Sequence, residues 1–138
     1  MSSLFDIKEH TIEASYIREY ARATSHSQDE KLLLHVKQYI PKDNPNPQKG
    51  DVTLIGGHAN GFPKELYEPL WEELYNEAKS RNLRIRSIWI ADAAWQGQSG
   101  LINKDALGND RKTSSSLTSS YAHIYQQAGS IMPVTFSR

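Results

Sequence analysis

One segment of this sequence constrains the fold more than any other, because it joins two apolar runs through an amphipathic stretch within residues 51–92. The first run, residues 51–57, ends in glycines, as a buried parallel strand does when it opens onto a functional loop. This run is predicted to be a central strand. The second run, residues 83–92, alternates at first and then becomes apolar throughout, which predicts another strand.

The stretch between the two runs predicts an amphipathic helix of about five turns. Pro63 and Pro69 suit its first turns, and Asn82 suits its end. A strand, a helix and a strand in this order form a right-handed crossover between parallel strands. The apolar positions recur at alternating steps of one and three, at Leu66, Tyr67, Leu70, Trp71, Leu74, Tyr75 and Ala78.

The residues that precede this unit predict an antiparallel hairpin. Residues 9–20 favour an extended strand, and the polar residues 24–28 interrupt it. Residues 32–40 predict the second strand, which Pro41 prevents from continuing as a helix or a central strand. The predicted fold class is therefore α/β, with an antiparallel hairpin followed by a parallel strand-helix-strand unit.

Composition excludes several classes of function. The chain has 138 residues, enough for one domain, and its 16 basic and 16 acidic residues cancel. A chain without net charge has no overall field to attract nucleic acid or an anionic membrane. The absence of cysteine excludes disulfides and thiolate metal sites, and no apolar run approaches the roughly 20 residues of a membrane span. We predict no cofactor and no metal site.

Two polar, glycine-rich segments carry the candidate site. Residues 56–62 and 96–103 follow the two predicted parallel strands, and ligands of such sheets bind beyond the carboxyl ends of the strands. Glycines in the first segment let backbone amides point at one spot, where they can bind an oxyanion. The alternative is a tight turn with a packed histidine. The candidates in this segment are His58, Ala59, Asn60 and Gly61.

The second segment offers structural rather than catalytic candidates: Asp92, Gly97 and Ser99. Asp92 ends a predicted strand, and its simplest role is to bind the amides of the following loop. Ser99 lacks the Gly-x-Ser-x-Gly setting of a nucleophile elbow, because Leu101 stands two positions after it.

The motif HANGFP at residues 58–63, with DAAWQGQS at residues 92–99, resembles two loops of the α/β-hydrolase superfamily. Ala59 stands where glycine is usual, and Trp95 stands at the first glycine of the second motif. More narrowly, the chain is similar to fungal hydrolases of secondary metabolism, including those of AK-toxin and mycophenolic acid biosynthesis.

This resemblance implies the N-terminal portion of an α/β-hydrolase fold and hydrolysis of an ester or an acyl-CoA thioester by a serine enzyme. It also implies backbone oxyanion donors near Ala59 and Asn60, an acyl ester or acyl-CoA ligand, and a peroxisomal location. The sequence ends Phe136-Ser137-Arg138 rather than in a Ser-Lys-Leu-like address, so we expect a cytoplasmic location for this chain.

No Gly-x-Ser-x-Gly occurs in the sequence, and His123 is the only histidine after the second loop. We therefore predict no catalytic residues, and expect a hydrolase part that is truncated before its nucleophile and inactive alone. Residues 1–110 are assigned to the incomplete hydrolase domain, and residues 111–138 to an atypical tail rich in Ser and Thr. Strand 85–91 is expected to lie at an open sheet edge, through which the chain could self-associate. The alternatives are a non-catalytic interaction module and a degenerate gene product.

Overall fold

The computed structural model describes residues 4–14 and 22–108. The predicted tail, residues 111–138, and the second half of the first predicted strand, residues 15–20, lie outside the described residues. The described strands are β1 (Phe5–Glu13), β2 (Leu33–Pro41), β3 (Val52–Gly57) and β4 (Ile85–Ala91). A 3-10 turn (Lys64–Tyr67) leads into helix α1 (Glu68–Ser80), and a short helix α2 (Gly97–Ile102) follows β4.

The sheet has the strand order β1-β2-β4-β3. The hairpin prediction is confirmed, because β1 and β2 pair antiparallel, although β1 begins earlier than expected. The parallel pairing of β3 with β4 across α1 is also confirmed. The fold is therefore the α/β arrangement that the sequence predicts.

Two expectations about the sheet edges were wrong. Within the described residues β3 is an edge strand, and β4 is the central one, since β4 pairs with β2 on one side and with β3 on the other. The physical reason is the composition of β4, whose residues are apolar on both faces and almost all buried. A strand that is apolar on both faces is best stabilised between two neighbours, whereas β3 is only half-buried.

Apolar side chains cover both faces of the sheet. On the α1 face, the buried cluster consists of Phe5, Tyr39, Trp71, Tyr75, Ile85, Ile88 and Ile90. On the opposite face it consists of Ala14, Leu32, Leu34, Val36, Trp89, Ala91, Ala94 and Leu107. Each large side chain buried in this way stabilises the fold by roughly 1.5–3 kcal/mol. This packing on both faces stabilises the sheet from which the loops after β3 and β4 emerge.

Helix α1 confirms the predicted helix in a shorter form, because the first turn is a 3-10 turn and the α-helix begins at Glu68. The helix ends before Asn82, whose φ of 57° is the left-handed conformation that closes helices. At 13 residues it is the longest helix within the described ranges, and none of the helices there is long and apolar enough to cross a membrane.

The apolar face of α1 is narrower than predicted. Trp71 and Tyr75 are buried, but Leu66, Leu70 and Leu74 are 60%, 47% and 39% exposed. On the other flank of the helix, Glu68 accepts a hydrogen bond from the Tyr39 hydroxyl of β2 at 3.0 Å.

Candidate functional site

Two loops meet beyond the carboxyl ends of β3 and β4. The first loop comprises residues 58–63, and the second loop comprises residues 92–96 together with the first turn of α2, residues 97–100. The Ala93 amide donates to His58 Nε2 at 2.9 Å, and the Gly61 amide donates to Gln96 Oε1 at 3.0 Å. Gln96 Nε2 also donates to the side-chain oxygen of Asn60. The two loops that follow the parallel strands are therefore hydrogen-bonded into one unit.

His58 is a buried link in this unit, with 4% of its surface exposed. Because Nε2 accepts the Ala93 amide, the ring proton lies on Nδ1, which donates to the Ala59 carbonyl at 2.9 Å. The same carbonyl accepts the Phe62 amide at 3.1 Å. Both ring nitrogens are thus engaged with backbone groups, so the geometry gives His58 an orienting role and leaves it no free nitrogen for proton transfer.

The fixed carbonyl of Ala59 determines where the next amide points. In a trans peptide the N–H lies opposite the C=O, and the described residues contain no cis peptide bond. The Asn60 amide is therefore directed away from His58 and Phe62, and no described residue accepts its proton. The neighbouring Ala59 amide differs, because it donates to the Tyr67 hydroxyl at 2.9 Å. Of the two predicted oxyanion donors, only the Asn60 amide is unoccupied.

A buried ion pair lies beneath the loops. Asp92 Oδ2 accepts Lys64 Nζ at 2.5 Å, and their side chains are 2% and 1% exposed. The same carboxylate oxygen accepts the Gln98 amide at 2.9 Å. Asp92 therefore binds an amide of its own loop, as the sequence suggests, and in addition holds a lysine that immediately follows the first loop.

A second layer of charge surrounds this ion pair. Lys64 Nζ also lies 3.2 Å from Glu65 Oε1, and that carboxylate lies 3.1 Å from Lys37 Nζ. Burial raises the pKa of Glu65, but its own backbone amide, Lys37 and Lys64 outweigh burial and hold the pKa below its ordinary value. Glu65 consequently stays ionised and neutralises part of the positive charge close to the first loop.

The second loop depends on a glycine and a buried serine. Gly97 has a φ of 51°, and a Cβ placed there would lie 2.6 Å from the Asp92 carboxylate. Ser99 is fully buried; its Oγ accepts the His35 amide at 2.8 Å and donates to the Asp92 carbonyl at 3.2 Å. A hydroxyl engaged in this way joins the loop to β2 and is inaccessible to a substrate.

Sequence reasoning missed three residues of this site: Lys64, Gln96 and Tyr67. Lysine after proline at the start of a helix is ordinarily exposed, so nothing local indicates that Lys64 is buried. Tyr67 was assigned to the apolar face of the helix, so the hydrogen bond between its hydroxyl and the Ala59 amide was not expected. Gln96 falls in the polar segment predicted to lie at the site, and its amide group can bind two polar partners at once.

Two features define the class of protein to which this structure conforms. The sheet is mixed and contains a parallel strand-helix-strand unit, and the loop after β3 carries a backbone amide that no described residue accepts. A solved structure shares this fold. The peroxisomal alpha-beta-hydrolase Lpx1 of Saccharomyces cerevisiae matches 96% of this chain and 36% of its own length, with a TM-score of 0.79 and 18% identity.

Sequence comparison finds closer relatives. The type I acyl-CoA thioesterase mpaH' of Penicillium brevicompactum is 48% identical over 107 residues, which are 77% of this chain and 24% of the relative. The type I acyl-CoA thioesterase mpaH of Penicillium roqueforti is 44% identical over 109 residues, with 79% and 24% covered. No protein-family model matches the chain.

The chain is similar in sequence to these acyl-CoA thioesterases and has the fold of an α/β-hydrolase. It spans about a quarter of the length of the thioesterases that it matches, a coverage that fits an N-terminal portion of such a hydrolase.

Proposed function

We propose that this chain contributes the oxyanion-binding half of an active site that hydrolyses acyl-CoA thioesters by serine acyl transfer. The observation that carries the proposal is the Asn60 amide, which is held by a fixed peptide unit and lacks an acceptor among the described residues. The kind of substrate is inferred from the thioesterases that share 44–48% of the aligned residues.

The hydrogen bonds around Asn60 suit an oxyanion donor. The Ala93 amide, the His58 ring and the Ala59 carbonyl form a chain of hydrogen bonds that ends at the Asn60 N–H. Such chains polarise one another, so an amide whose carbonyl already accepts hydrogen bonds is a stronger donor. A donor fixed before the reaction also needs no reorganisation when negative charge develops on the substrate oxygen.

The proposed reaction forms and breaks bonds in two steps. A serine oxygen, losing its proton to a general base, attacks the thioester carbon, and the carbonyl electron pair moves to the oxygen that Asn60 N–H stabilises. The tetrahedral intermediate collapses by expelling the thiol, which takes the proton from the base. Water then hydrolyses the acyl-serine by the same sequence.

The proposal requires the nucleophile and the base from outside the 138 residues of this sequence, because no Gly-x-Ser-x-Gly occurs in it. They could come from the same polypeptide or from another one. We expect the chain by itself to release no CoA from acyl-CoA above background. Formation of an acyl-enzyme, or labelling by a serine-directed phosphonate, would contradict that expectation.

A hybrid hydrolase tests the proposal. In it, the aligned 107-residue segment of this chain replaces its counterpart in the Penicillium brevicompactum thioesterase. We expect the hybrid hydrolase to release CoA from octanoyl-CoA. Asn60→Pro removes the amide proton and should lower kcat by roughly 100- to 1,000-fold, the usual effect of losing one oxyanion donor.

Asn60→Ala is the matched control, because it keeps the amide proton and removes only the side chain that binds Gln96. It should retain most of the activity. If Asn60→Pro and Asn60→Ala had equal kcat values in folded protein, the Asn60 amide would not be the donor. If the unsubstituted hybrid hydrolase folded without turnover, the proposed function itself would be wrong.

A second candidate function, a non-catalytic interaction module, is favoured by the surface beside β3. Within residues 4–14 and 22–108 no strand pairs with the outer edge of β3, and Leu66, Leu70 and Leu74, in the turn and helix that follow β3, are exposed. An open strand edge suits self-association by strand pairing, and exposed apolar side chains suit burial in an interface.

Sedimentation of the 138-residue chain tests this candidate. Self-association through the β3 side predicts a dimer that Leu70→Arg disrupts. The matched control is Leu101→Arg, at another exposed leucine on α2, a helix that packs against β2. A monomer at all concentrations, or equal effects of the two substitutions, would rule the candidate out.

The location in the cell belongs to the same proposal. The fold neighbour Lpx1 is a peroxisomal hydrolase, which supports an intracellular site of action for this chain as well. Fluorescence microscopy of the tagged protein distinguishes a peroxisomal from a cytoplasmic distribution, and secretion into the medium would contradict both.

A further inference from the structure

The Tyr67 hydroxyl occupies the position where the first loop would otherwise offer a second amide. It accepts the Ala59 N–H at 2.9 Å, so that amide is not available to a substrate. A phenol that accepts one hydrogen bond still has its own proton to donate. No described residue accepts the proton of Tyr67.

The ring of Tyr67 is held in place by aromatic packing. It stacks on Trp71 with ring centroids 6.1 Å apart and an interplanar angle of 25°. Trp71 is itself buried and lies against Gly56 at the end of β3, where an added Cβ would come within 2.5 Å of the indole. The absence of a side chain at Gly56 thus allows the indole to approach the strand, and the indole positions the tyrosine beside the loop.

We infer that the Tyr67 hydroxyl is a second oxyanion donor of this loop and acts in place of the Ala59 amide. The inference rests on the proposed function. Donation from Ala59 to the phenol oxygen polarises the O–H bond and makes its proton a better donor to a developing oxyanion. The proton stays on Tyr67 throughout, so the tyrosine stabilises charge and takes no part in bond breaking.

The test is Tyr67→Phe in the hybrid hydrolase, because this substitution keeps the ring and removes only the hydroxyl. We expect kcat for octanoyl-CoA to fall roughly 10- to 100-fold, with little change in KM. This decrease is equal to or smaller than the one that usually follows the removal of an oxyanion donor. The rate of labelling by a serine-directed phosphonate should fall in parallel, since the phosphonyl oxygen carries similar charge.

The alternative makes the opposite prediction. If the Ala59 amide were the true donor, Tyr67→Phe would free it, and kcat would stay the same or rise. Tyr75→Phe is the matched control, because this tyrosine lies on the same helix and its hydroxyl donates to Asp43, remote from the loops. It should change kcat by less than about threefold, as expected for a residue that makes no contact in the transition state.

Two further readouts separate the possible failures. In the 138-residue chain itself, Tyr67→Phe should shift the NMR resonance of the Ala59 amide while leaving the dispersion of the spectrum intact, which establishes the bond and the fold. If that shift is absent, the inference is wrong. If the hybrid hydrolase is active and sensitive to Asn60→Pro but not to Tyr67→Phe, only the role of Tyr67 is refuted and the proposed function stands.

Discussion

The buried pair of Lys64 and Asp92 is where the fold is most sensitive to a single substitution. Lys64→Met preserves the length and apolar stem of the side chain but removes the charge that lies 2.5 Å from Asp92. Among the described residues, Asp92 then keeps only the Gln98 amide as partner for a carboxylate that is 2% exposed. Removing one member of a buried ion pair usually costs about 3–5 kcal/mol.

Such a loss is large against the roughly 5–15 kcal/mol that stabilise an ordinary domain. Urea unfolding followed by tryptophan fluorescence measures it, and the midpoint should fall sharply while the slope changes little. Lys79→Met is the matched control: its ion pair with Asp43 is exposed, so we expect a much smaller loss of stability than for Lys64→Met.

The double variant Lys64→Met/Asp92→Asn tests the reasoning further. Removing both charges avoids the unpaired carboxylate, so the double variant should be more stable than Lys64→Met alone. The ion pair would not stabilise the two loops as the distances indicate if Lys64→Met were as stable as the unsubstituted chain. The same would follow if the stability lost in the double variant equalled the sum of the losses in Lys64→Met and in Asp92→Asn.

Three other outcomes are expected. Amide hydrogen exchange should be slower in β4 than in β3, because β4 is paired on both sides; equal protection would contradict the strand order. Gly97→Ala should destabilise the chain by more than Gly61→Ala in thermal unfolding: both have positive φ, at a cost of about 1–3 kcal/mol, but only Gly97 also meets the Asp92 carboxylate. Lys79 and the Tyr75 hydroxyl hold the pKa of Asp43 below its ordinary 3.8, so that carboxylate stabilises the fold above this pH, and the stabilisation is lost as the pH falls through the lowered pKa. Asp43→Asn should accordingly be less stable than the unsubstituted chain at neutral pH, and the two unfolding curves should converge in acid; a constant difference down to the lowest pH would contradict this.

The elements of this fold were predictable because their signals are local. The alternating residues of β2, the apolar run of β4 and the amphipathic period of α1 each lie within one stretch of sequence. The order of the strands is not local. Whether β3 or β4 is central depends on which strand can bury both of its faces. The glycines at the end of β3 led to the incorrect prediction that β3 is the central strand.

The candidate site was predictable to the extent that its chemistry lies in the backbone. The motif at residues 58–63 indicates exposed amides, and Asn60 retains one. The partners that arrange those amides come from elsewhere in the chain. Lys64 and Tyr67 belong to the turn before α1, and neither residue type in that position indicates that its polar end is directed at the loops.

The most direct measurement of the central claim is a crystal structure of the hybrid hydrolase whose serine carries a phosphonate, because the phosphonyl oxygen occupies the place of the oxyanion. Productive oxyanion donors lie about 2.7–3.1 Å from that oxygen. We expect the Asn60 amide nitrogen within this range, and the Tyr67 hydroxyl as well. An oxygen that binds neither group, with the first loop unchanged, would contradict the assignment of this chain as the oxyanion-binding half of a hydrolase site.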